Sequence, residues 1–81
     1  MGAVLNSYLY FMNGVLNMIS YRPLWDTMKQ AGITTSDLQK HAISAATIKT
    51  MKEGGYVTTK TLNKLCSILD CTPADIIEHI K

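Results

Sequence analysis

The residues with the clearest chemical capacity lie in the middle of the chain. From Lys40 to Lys64, the five lysines Lys40, Lys49, Lys52, Lys60 and Lys64 stand against a single acid, Glu53. Hydroxyl side chains are set among them at Thr34, Thr35, Ser36, Ser44, Thr50, Thr58 and Thr59, with Tyr56 close by. Ammonium groups and hydroxyls in such density suit the binding of anionic oxygens, phosphates in particular. A solvated lysine face and a set of ordinary helix caps would account for the same residues. The other reactive groups are sparse. Cys66, Cys71, His41 and His79 match no zinc-ligand spacing, so no metal and no cofactor are expected. His41 lies one helical turn from Asp37, but nothing nearby offers a nucleophile or a pocket, and the chain is not expected to be an enzyme.

These groups need a scaffold. At 81 residues the chain supports one domain. With 47% hydrophobic and 17% charged residues, its composition is that of a globular protein and not of a disordered one. Leu, Ile, Met and Ala dominate the apolar set, and no strand-like alternation of useful length occurs, so the expected fold class is all-α. The first 21 residues carry no charged side chain. They lack the features of a signal peptide, and Asn6, Ser7, Asn13 and Asn17 interrupt any membrane span. A cytoplasmic protein without membrane contact is expected.

The helices are marked by their starts and stops. Over residues 3–19, Val4, Leu5, Tyr8, Leu9, Met12, Val15, Leu16 and Ile19 recur at helical spacing, predicting an amphipathic helix. Pro23 opens a second helix that Gly32 ends. Thr34 with Asp37 forms a capping-box pattern for a short helix to about Ala42, and Ser44 caps another over about 44–52. Thr58 starts the most regular helix, whose stripe is Leu62, Leu65, Cys66 and Leu69. Thr72-Pro73-Ala74-Asp75 opens an expected last helix with Ile76, Ile77 and Ile80 on its apolar side.

The two short helices, 35–42 and 44–52, have almost nothing between them and must cross steeply. Neither buries its apolar face alone, so the flanking helices must clamp them. The second then projects Ala45, Ala46, Lys49 and Thr50 outward. Small and polar residues there suit a helix that enters the major groove of double-stranded DNA.

Residues 18–81 resemble the lambda-repressor-like (phage-repressor, Cro-type, XRE) helix-turn-helix family, in particular its small single-domain bacterial members. Ile19-Ser20-Tyr21 with Pro23-Leu24-Trp25, Ile33-Thr34-Thr35 and Ile43-Ser44-Ala45-Ala46-Thr47-Ile48 carry the likeness. The most specific part is Thr61-Leu62-Asn63-Lys64-Leu65-Cys66 through Leu69-Asp70-Cys71-Thr72-Pro73-Ala74-Asp75-Ile76-Ile77. The resemblance implies a five-helix DNA-binding domain, here with an extra N-terminal amphipathic helix, acting as a transcriptional regulator, most simply a repressor. It places Ala45, Ala46, Lys49 and Thr50 toward the bases. Thr35, Ser36, Ser44, Lys52, Tyr56, Thr58, Thr59 and Lys60 would lie toward the DNA backbone. The chain departs from the family pattern at Ala42, where many members carry a turn glycine, and the interval from Leu38 to Ile48 is one residue short of the commonest spacing. Ala45 and Ala46 also stand where longer amides or basic residues often read bases.

Residues 1–17 fall outside the resemblance. They form an apolar extension, read either as an upstream start or as a dimerisation helix, with a homodimer through residues 3–19 as the expected assembly. Burial against its own core is the competing reading of this helix. A protein-interaction module of the same fold (an antitoxin, anti-repressor or adaptor without its own operator) is the alternative function. No small-molecule ligand is expected.

Overall fold

Capping residues decide where the helices of this chain begin. In the structure, a computed structural model that describes residues 18–81, four α-helices follow the starts read above. They are α1 (Arg22–Ala31), α2 (Thr35–Lys40), α3 (Ala45–Lys52) and α4 (Thr59–Leu69). Pro23 lies in the first turn of α1, and Gly32 closes it at φ 70°, a left-handed conformation that costs glycine little. Thr34, Ser44 and Thr58 are the N-caps of the next three helices, each accepting the backbone N–H three residues on. These bonds satisfy donors that a helix start otherwise leaves open.

The C-terminal segment corrects the expectation of a fifth helix. Pro73–Asp75 form one 3₁₀ turn, and the chain then extends into a strand. The first strand, β1 (Met18–Ser20), pairs antiparallel with β2 (Glu78–Ile80), in the register Met18 to Ile80 and Ser20 to Glu78. Isoleucine is β-branched and favours the pleated surface once a partner strand exists. That partner lies at the other end of the described chain, so no local pattern announces it. Residues 1–17, and with them most of the helix expected over 3–19, lie outside the described residues. Met18 and Ile19, the end of that expected helix, are strand.

The core gathers one or two side chains from each helix and three from the segments between and after them. Leu24 and Met28 of α1, Leu38 of α2, Ile48 and Met51 of α3, and Leu65 and Leu69 of α4 are buried together with Tyr21, Ile43 and Ile76. Leu62, Cys66, Trp25 and Ile77 pack on it half-buried. Two bonds tie the chain ends across this core. The Leu24 amide donates to the Ile76 carbonyl at 3.1 Å, and the Thr27 hydroxyl donates to the Asp75 carbonyl at 2.8 Å. Among the described residues no helix is long and apolar enough to cross a membrane.

The turn between α2 and α3 is tight, and its geometry is one that glycine would adopt at lower cost. Ala42 has φ 71°, so an alanine occupies a left-handed position, the one at which the family resemblance implies a turn glycine. The amides of His41, Ala42 and Ile43 donate to the carbonyls of Leu38, Gln39 and Leu38, which holds this conformation. A Cβ in the left-handed region costs about 1–2 kcal/mol, partly offset by the extra freedom glycine has when unfolded. Ala42→Gly is therefore expected to raise stability by about 0.5–1 kcal/mol in urea or thermal unfolding. A loss of stability would show that the alanine is unstrained.

Candidate nucleic-acid interface

Helix α3 has one face committed to the core and one committed to nothing within the described residues. Ile48 and Met51 are buried, whereas Ala45, Ala46 and Lys49 are exposed. Thr50 is half-buried, and its hydroxyl donates back to the Ala46 carbonyl at 3.0 Å. This bond leaves the oxygen free only as an acceptor for further contacts. Lys49 and Lys52 lie in the last turn of α3, where the helix dipole also favours positive charge.

The exposed face of α3 and the start of α4 share one open concavity. Ala46, Thr47, Thr50, Tyr56, Thr58 and Thr61 line it. Tyr56 is 81% exposed, unusual for so large a side chain and available to an outside partner. Thr58, Thr59 and Lys60, at the start of α4, are exposed. The Ser44 and Thr58 hydroxyls are capping groups first. Ser44 accepts from the Thr47 amide at 3.1 Å and Thr58 from the Thr61 amide at 3.2 Å. Ser44 also shares a hydrogen with the Thr47 hydroxyl, and Thr58 donates to the Thr61 hydroxyl.

The start of α2 differs. Thr35 is half-buried and Ser36 exposed. Asp37 accepts from the Thr34 amide at 2.8 Å and from its hydroxyl at 3.0 Å. A carboxylate therefore already occupies donors that would otherwise suit a phosphate. Bonds from the Thr34 backbone and hydroxyl hold the Asp37 carboxyl below its ordinary value. Because this folded value is depressed, the contribution to stability is complete above the unfolded carboxylate value. It is lost as pH falls through the folded one.

Two contributors were not singled out in the sequence. Gln39, exposed on α2, lines a shallow hollow with Ala42, Ser44 and Ala45 at the start of α3. A glutamine can pair with an adenine edge, the function that Ala45 and Ala46 lack. Its position in the first of two closely joined helices was the available signal. Gly55 is the second contributor. The Tyr21 hydroxyl, in the core, donates to the Gly55 carbonyl at 2.7 Å. The Gly55 amide donates to the Thr50 carbonyl at 2.9 Å. A Cβ at Gly55 would come to 2.8 Å from the Thr50 Cγ2 and 3.3 Å from the Thr50 carbonyl. The loop thus lies directly on the end of α3, and only glycine fits without a shift.

Two outcomes follow. Asp37→Asn should lower stability at neutral pH, where the carboxylate's contribution is complete, and converge with the wild type as pH falls below the ordinary carboxylate value of about 3.9, so that its acid limb is flatter. An unchanged acid limb in urea unfolding at stepped pH would contradict the assignment. Gly55→Ala should cost about 1–3 kcal/mol by overpacking. Thr50→Ser, which removes the offending methyl, should recover part of that loss in a double-mutant cycle. Strict additivity would mean the two residues do not touch.

Residues 23–81 match the profile of the Cro/C1-type HTH DNA-binding domain. The crystal structure of the transcriptional regulator VanUg has a similar fold, with a TM-score of 0.74 over 79% of this chain and 87% of that one, at 25% sequence identity. No curated protein sequence matches the chain.

Proposed function

The chain belongs to the Cro/C1-type helix-turn-helix DNA-binding domain family, and from that premise we propose that it is a sequence-specific regulator of transcription that lays α3 in the major groove. One observation carries this reading. The face of α3 bearing Ala45, Ala46 and Lys49 has no packing role within the described residues, and Ala46 and Thr50 line the same concavity as Tyr56 and Thr58. A major groove admits a helix, and short side chains let the backbone approach the base edges.

In this arrangement Ala45 and Ala46 touch thymine methyls, and Lys49 meets a guanine edge. Thr50 contributes at the side of the groove as an acceptor. Ser44, Lys52, Tyr56, Thr58, Thr59 and Lys60 contact the sugar–phosphate backbone, with Thr35 and Ser36 at the far edge of the groove. Residues 18–81 form the DNA-binding domain. The apolar extension 1–17 joins two copies, so that two α3 helices meet successive major-groove half-sites about 34–36 Å apart. Such a dimer acts as a repressor by occluding polymerase. The family relation and the transcriptional-regulator neighbour support the DNA-binding part. The repressor and dimer parts rest on the sequence pattern.

Selection from random duplexes at two salt concentrations tests the reading. A two-fold motif with affinity that falls as salt rises is expected; no enrichment and no binding at low salt would transfer the reading to protein interaction. On the enriched site, Lys49→Ala should weaken binding by about 1–3 kcal/mol and relax preference at one base position. Lys52→Ala and Lys60→Ala should weaken all sequences about equally and lower the salt slope by about one. Equal behaviour of all three variants would show that Lys49 reads no base.

A further inference from the structure

The cysteines are the chain's only two, Cys66 and Cys71, and nothing in the DNA-binding arrangement uses them. They meet where α4 ends. Asp70 takes the left-handed conformation that closes the helix, at φ 51° and ψ 56°. The Cys71 amide then donates back to the Cys66 carbonyl at 3.0 Å. This six-to-one bond is the signature of a Schellman cap, which brings the side chains of these two positions against each other. Both thiols are half-buried, and the cap sets the two side chains beside each other at the end of the helix. An apolar pair would satisfy the cap equally well, but two thiols so placed also have a reaction available.

We propose that Cys66 and Cys71 are a redox modification site, closing to an intrachain disulfide by exchange with a low-molecular-weight disulfide such as oxidised glutathione. In the first step the thiolate of one cysteine attacks a glutathione sulfur. A protein–glutathione disulfide forms, and the glutathione thiolate that leaves takes up the proton the protein thiol gave away. The second cysteine, losing its proton in turn, attacks the protein sulfur of that mixed disulfide. The protein S–S bond forms and a second glutathione leaves. Two protein S–H bonds are oxidised while one glutathione disulfide is reduced to two thiols, so the exchange balances.

The local environment suits a stable closed form. Burial, then the neighbouring Cys66, Asp75 and Asp70, push the Cys71 thiol upward. The reduced state therefore gains no thiolate stabilisation of the kind that makes some pairs strongly oxidising. The cap has also already brought the two positions together, a closure that the unfolded chain must achieve by chance. The site lies toward the other end of α4 from Thr58 and Lys60, with Cys66 about 9–12 Å along the helix from them.

The test is equilibration of the full chain with mixtures of oxidised and reduced glutathione, with and without urea. Intact-mass and alkylation readouts follow the products. The expected product is a monomer lighter by two hydrogens in which neither cysteine alkylates. Its equilibrium constant should be about tenfold or more higher for the folded chain than for the same chain in urea. Cys66→Ser and Cys71→Ser should each stop at the glutathione adduct. A persistent adduct on the wild-type chain, a disulfide-linked dimer, or a constant no higher in the folded state would overturn the proposal. The wild-type comparison stands even if neither variant folds.

Discussion

A helix of eight residues cannot hold itself in water, and α3 is such a helix. Its position is set by two buried side chains, Ile48 and Met51, packed among Leu38, Leu65 and the rest of the core. Everything that the exposed face offers to a partner depends on that anchorage. The core is built from one or two buried side chains of each helix with Tyr21, Ile43 and Ile76, so α1, α4 and the residue after the C-terminal turn all bear on the direction in which α3 points. The small size of the domain makes this sharing necessary, since no pair of these helices has enough apolar surface to stand alone.

Two short connections complete the aim of α3. On its N-terminal side, Ala42 accepts a left-handed backbone and lets α2 run into α3 with almost no loop. On its C-terminal side, Gly55 lies against Thr50 while the Tyr21 hydroxyl holds its carbonyl from within the core. The first connection carries strain and the second depends on the absence of a side chain. In both, the backbone conformation is held by hydrogen bonds to neighbouring residues and not by bulk packing.

Much of this was legible in the residues themselves. Thr34, Ser44 and Thr58 announced three helix starts because a hydroxyl three residues before a free amide is a local device, complete within one turn. Gly32 announced a helix end for the same reason. The Leu62–Leu69 stripe was readable because helical periodicity repeats within α4. What was not legible depended on distance. Ile76, Ile77 and Ile80 fit an apolar helix face as well as a strand, and only Met18–Ser20, at the opposite end of the described chain, decides between them. Exposure of Ala45, Ala46 and Lys49 could be read from the spacing of Ile48 and Met51. The shared concavity with Tyr56, and the place of Gln39 beside Ala45, required the crossing of the helices in space.

The central claim is that one surface, the outer face of α3 with the start of α4, meets duplex DNA. Backbone amide shifts followed by NMR, as an enriched duplex is added to the labelled chain, test it most directly. The largest changes should fall on residues 44–52 and 56–60, with Cys66–Asp75 nearly silent. Changes concentrated on the β1–β2 sheet, with α3 unmoved, would contradict it.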